Sequence, residues 1–118
     1  MMKTIKPEEI NAEQVEFNGS VIPGVTIRWL IKESDGAKRF AMRYFELERG
    51  AVIPEHHHLW EHEIFVLKGK GEITVDNVKK EVSEGTAIFI EPDALHAYKN
   101  IGPGKLVFLC LIPYLKSE

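Results

Sequence analysis

The chain has 118 residues, 44% hydrophobic and 28% charged, with 15 Lys and Arg against 18 Asp and Glu and a formal net charge of -3. That size and balance predict one globular domain over residues 1–118, built on a single core. The lone cysteine, Cys110, excludes an internal disulfide framework, the mixed charges exclude a basic stripe for nucleic acid, and no apolar run reaches the ~20 residues of a membrane span.

The start of the chain carries no apolar signal core, so the cytoplasm is the expected compartment, with neither membrane nor nucleic acid as a partner. Residues 7–17 come first among the elements. Pro7 followed by Glu8 and Glu9 suits the positive end of a helix dipole, and helix and extended chain both remain open there. Beyond it, β-branched and aromatic residues alternate with polar ones. The pattern predicts strands at 25–32, 39–48, 52–58, 62–68, 72–76, 78–82, 87–91, 95–99 and 105–112. Turn chemistry such as Ser34-Asp35-Gly36, Gly69-Lys70-Gly71 and Gly102-Pro103-Gly104 separates them. Short strands at this spacing predict an all-β sandwich or barrel.

All 5 histidines fall in two places: His56, His57, His58 and His62 around one turn, and His96 at the start of a later strand. Side chains at i and i+2 of a strand share a face, so His56 and His58 point together and His57 points away. His62 follows a bend short enough to bring a third imidazole back to them, and a neighbouring hairpin can supply His96. Four nitrogen donors could then close on one ion.

The spacing Gly50-x5-His56-x-His58-x3-His62-x6-Gly69, followed by Gly85-x10-His96-x3-Asn100, resembles the two motifs of the cupin superfamily. The resemblance covers residues 50–69 and 85–100. It implies a jelly roll, or double-stranded β-helix, with one metal at its mouth. His56, His58 and His96 match ligand positions directly. The family usually places Glu at the third position. This chain has His62 there, with Glu63 next to it but out of register with Gly69. Pro92 stands one place late and Ala94 is a further departure, both leaving the Gly85 to His96 distance intact. The stretch from His58 to Gly69 is similar to small stand-alone microbial cupins with four-histidine, often manganese-bound sites linked to oxygen-dependent chemistry.

Four imidazoles leave a divalent ion its full charge and suit iron, copper, nickel or zinc, with manganese admitted by supply; manganese or iron is expected from the resemblance. Four ligands on an octahedral ion leave open positions for a small chelating substrate, whereas a structural zinc site would be closed. The expected activity is that of a dioxygenase-type oxidoreductase. A non-redox isomerase or lyase and a non-catalytic binding protein are its alternatives. Glu61, Glu63 and Glu91 are candidate acceptors for the second ring nitrogens. Trp60 is a candidate pocket wall. Tyr98 shares a face with His96 and could donate a proton. Arg43 could bind an anionic substrate, although snorkelling or ion pairing is the commoner fate of such a residue. Cys110 alternates with Phe108 and Ile112 as a buried small hydrophobe that could also approach the metal. Metal binding is expected to weaken below about pH 6, where free imidazole protonates. A homodimer is expected, the segment before Gly36 covering a partner's sheet edge.

Overall fold

Alternating burial along successive strands folds the chain into two facing antiparallel sheets, seen in a computed structural model that describes residues 1–115. One sheet has six strands, β1 (Glu13–Phe17), β2 (Ser20–Ile31), β3 (Phe40–Leu47), β5 (His62–Lys68), β8 (Ala87–Ile90) and β10 (Leu106–Pro113), in the order β1-β2-β3-β10-β5-β8. The other has four, β4 (Val52–His56), β6 (Lys70–Val75), β7 (Val78–Ser83) and β9 (His96–Asn100), in the order β4-β9-β6-β7. This is the all-β jelly-roll architecture that the turn spacing predicts. Among the described residues no helix is long and apolar enough to cross a membrane.

The helical option for residues 7–17 is overturned. Only Pro7–Glu9 makes a single 3-10 turn, Ile10 is already extended, and Glu13–Phe17 is a strand. The apolar residues Val15 and Phe17 sit two apart, which buries one face of a strand and no face of a helix. Strand β2 also begins earlier than its apolar pattern indicates. Its first residues bend at Pro23 and Gly24, where Gly24 holds φ at 75° and the pairing with β1 shifts register between Gln14 and Glu16. Glycine is required here, since a Cβ would lie 3.2 Å from that of Ala51.

The interior is layered by cross-strand registry. In the six-stranded sheet Val25, Leu47 and Leu106 form one row, and Ile27, Phe45, Phe108 and Val66 the next, all buried. Ile53, Ile73 and Val82 meet them from the other sheet. Burying each such side chain contributes about 1.5–3 kcal/mol, and the Phe45 and Phe108 rings add a stack at 5.2 Å. Asn100 closes this end. Its Nδ2 donates to the carbonyls of Leu47, Glu48 and Gly104 at 3.0, 3.1 and 2.8 Å, and its Oδ1 accepts from the Gly102 N–H. The apolar rows thus occupy one half of the interior, and the next rows carry polar side chains.

Candidate metal centre and its cavity

On strand β4, Ile53 faces inward opposite Tyr98, and an unbroken pleat would turn Glu55 and then His57 inward after it. The pairing instead skips a residue, so that His56 lies opposite His96 while Pro54 and Glu55 are both exposed. This β-bulge reverses the phase of the strand and re-aims His56 into the barrel. Proline is tolerated at a bulge because it has no N–H to give to the ladder. His58 follows on the same side, and His57 remains exposed beside Asp93.

Strand β5 buries His62, Ile64 and Val66 and exposes Glu63 and Phe65. The pleat therefore brings His62 into the interior and turns Glu63 out. His96 opens β9 between His56 and Val75 and is 1% exposed. One ring nitrogen from each of His56, His58 and His96 lies within 4.8 Å of the others, an arrangement that can hold a metal ion. The His62 ring stands next to this trio, 4.8 Å from that of His96 and 5.4 Å from that of His58. The loops carrying the histidines are tied together, since Asp93 N–H donates to the His58 carbonyl at 2.7 Å.

Hydrogen bonds set the tautomers. Nδ1 of His56 meets the Pro54 carbonyl at 2.7 Å and Nδ1 of His96 meets the Ala94 carbonyl at 2.8 Å. A carbonyl only accepts, so each Nδ1 carries the proton and each Nε2 presents a lone pair. Nδ1 of His62 lies 3.4 Å from Cys110 Sγ. The Nε2 atoms of His62 and His96 are buried without any partner, a costly arrangement that a bound ion would relieve. These acceptors correct one expectation. Glu61, Glu63 and Glu91 do not serve the imidazoles, because residues on either side of an inward His62 must point outward; Glu61 and Glu63 line an outer groove beside Phe40 and Glu91 is exposed.

Burial pushes His56 down to about 4 and His62 to about 3, and lowers His58 and His96. All four imidazoles are thus held neutral, the form that ligates, and the onset of proton competition moves below the pH 6 expected for free imidazole.

A cavity of about 260 Å³ opens onto the histidines. Trp29, Phe45, Tyr98 and Phe108 wall it, together with Trp60, whose indole stacks on the His58 ring at 4.5 Å. Its outer wall is β1, and the Phe17 ring lies 4.6 Å from that of His56. No residue of β1 is among the sequence-derived candidates; the alternation of Val15 and Phe17 is the signal that points to it. Burial raises the Tyr98 phenol well above its usual 10, so it keeps its proton.

Arg43 does not snorkel, and among the described residues it pairs with no carboxylate. It lies opposite both Trp29 and Cys110, on the inward side with Ala41 and Phe45, and its guanidinium sits in the cavity wall over the Phe45 and Trp29 rings, at 5.0 and 5.6 Å. Nη2 donates to Cys110 Sγ at 3.0 Å. Cys110 is buried as expected, and it also lines the cavity between Arg43 and His62.

The solved structure of the polyketide cyclase RemF from Streptomyces resistomycificus superposes with a TM-score of 0.87 and 35% identity, over 96% of this chain and 80% of that one. Among curated proteins, the dimethylsulfoniopropionate lyase DddW of Ruegeria pomeroyi is 32% identical over 94 residues, 76% of this chain and 62% of that protein. An uncharacterised protein of Methanocaldococcus jannaschii is 43% identical over 56 residues, 47% of this chain and 45% of that protein. The chain therefore spans less than two thirds of the length of these curated relatives. The cupin domain description matches residues 43–112, which contain every histidine of the cluster, and the chain belongs to the cupin 2 family.

Proposed function

We propose that this cupin is a mononuclear metalloenzyme of the lyase or cyclase kind, holding one divalent transition metal on His56, His58, His62 and His96. The observation that carries it is the pair of buried, unpartnered Nε2 atoms of His62 and His96 beside the other two rings. A divalent ion bound there supplies Lewis acidity toward a carbonyl or carboxylate oxygen. Tyr98 keeps a proton that it can deliver to, and recover from, a small substrate in the cavity. The aromatic walls exclude water and limit the substrate to a compact, flat body. The names of RemF and DddW, a cyclase and a lyase, favour this class over the oxidoreductase reading.

The dioxygenase-type reading stands second on a separate observation. The donor set is imidazole alone, held neutral by burial, which suits iron and copper and admits manganese or nickel as well as zinc.

Elemental analysis by plasma mass spectrometry on tag-free protein should find about one equivalent of a divalent transition metal, falling at least tenfold in His96→Ala and measurably in His62→Ala. Absence of metal from protein purified without chelators would overturn the metalloenzyme. Loaded protein incubated with small carbonyl acids under argon should form an elimination or cyclisation product without oxygen, with Tyr98→Phe slower by about 10²-fold or more because the substrate oxygen loses its proton donor. Consumption of substrate only when oxygen is admitted would favour the dioxygenase instead. Metal without turnover in either assay would leave a small-ligand binding protein.

A further inference from the structure

The cavity holds a cation, Arg43, for which the described residues supply no counter-ion. Among the described residues the ion pairs of Lys and Arg are Lys3 with Asp35, Arg28 with Glu46, and Lys105 with Glu46 and Glu48; Arg43 is in none of them. Glu13 and Glu16 line the same cavity from β1, yet both are exposed and neither comes within ion-pair reach of Arg43. The guanidinium has two aromatic faces and a thiol as neighbours, and its Nε is buried without a hydrogen-bond partner. A second buried donor, Trp60 Nε1, is likewise unpartnered and belongs to the same lining. Burying a charge or an N–H donor without a partner costs free energy, and no core-packing role requires either group to be polar. Neutral imidazoles add no negative charge, so a divalent ion would deepen the excess of positive charge.

We propose that Arg43 is the specificity-determining residue of this cavity and that, with the Trp60 indole N–H, it selects a small planar carboxylate. The proposal deepens the metalloenzyme reading, on which it rests for the chemistry that follows binding. Guanidinium geometry matches a carboxylate oxygen pair, and the low-dielectric aromatic walls strengthen the attraction. The flat body of the anion lies between the aromatic walls of the cavity.

Benzoate and benzamide, alike in shape and different in charge, are suitable probes. Both tryptophans of the chain, Trp29 and Trp60, line the cavity, so quenching of intrinsic fluorescence reports occupancy. Chelator-treated wild type should bind benzoate at least about tenfold tighter than benzamide, as expected for one charged hydrogen-bonded contact. In Arg43→Met the ratio should fall to within about twofold. Its thermal midpoint should be unchanged or raised, because the substitution removes a buried charge that has no partner. A structural arginine would instead lower the midpoint. If Arg43→Met does not fold, Arg43→Gln, which keeps an N–H donor and drops the charge, carries the same comparison. Equal binding of both probes by wild type, or an undiminished preference in the folded variant, overturns the proposal. Metal content measured on the same proteins before chelator treatment separates the two readings. Protein that takes up no metal yet keeps an Arg43-dependent preference overturns the metalloenzyme and supports the anion site; metalloprotein without the preference does the reverse.

Discussion

His62 shows how much one position decides. It occupies the place where the family resemblance implies glutamate, and the pleat of β5 turns it inward with Ile64 while Glu63 goes to the outer face. Its burial and that of His56 also set a pH dependence. Their folded values, about 3 and about 4, lie below the 6.5 of an unfolded imidazole, so the unfolded chain binds protons first as pH falls. The stability contributed by keeping these rings neutral is complete above about pH 6.5 and is lost as pH falls from there to about 4 for His56 and about 3 for His62. Thermal midpoints of the chelator-treated protein should therefore drop steadily between pH 7 and pH 4.5, and His62→Phe should flatten that slope. A slope unchanged by the substitution would assign the acid sensitivity elsewhere.

At the scale of elements, what could be read in the sequence was the identity and order of the strands from β2 onward. The outcome for β5 shows why: alternation and turn residues coincide, and the strand runs over His62–Lys68 as predicted. What could not be read was anything that depends on pairing. The bulge at Pro54 and Glu55 leaves the residue types unchanged and appears only when β4 is set against β9. The inward Arg43 is similar, since a charged residue in an apolar strand declares its side only through registry with Trp29 and Cys110. Strand β1 was obscured by helix-start chemistry at Pro7 that ends after one turn. Asn100 was visible as a motif position but not as a clamp between the β3 and β4 connection and the β9 and β10 turn. Its three carbonyl partners need a donor. Asn100→Asp should cost about 3 kcal/mol or more in urea unfolding, above the cost of Asn100→Ala, because it sets a carboxylate against three acceptors. Equal losses in the two variants would show that the donor count is immaterial.

For the whole molecule, the outer face of the six-stranded sheet leaves Phe40, Phe65 and Phe89 at 58, 44 and 61% exposure, with Leu67 nearby on β5. Exposed aromatic residues clustered on one sheet face mark an interaction surface. We propose that a second copy of the chain covers it, giving a homodimer through this face in place of the one expected through the segment before Gly36. Light scattering after gel filtration should give about twice the 13.5 kDa chain mass, and Phe65→Glu with Phe89→Glu should return it to one chain. A wild type that elutes as a single chain at micromolar concentration would remove the dimer.

The extra residue in β4 and the bulge that absorbs it offset one another in aiming the histidine triplet. Taking one residue out at Pro54 or Glu55 would restore the simple pleat and set His56 two places after Ile53, so that His56 and His58 still face inward and His57 still faces solvent. Ile53, before the break, would keep its place among the buried rows. A single codon lost at that point is thus a change that a barrel of this design can absorb with its imidazoles still aimed at one another.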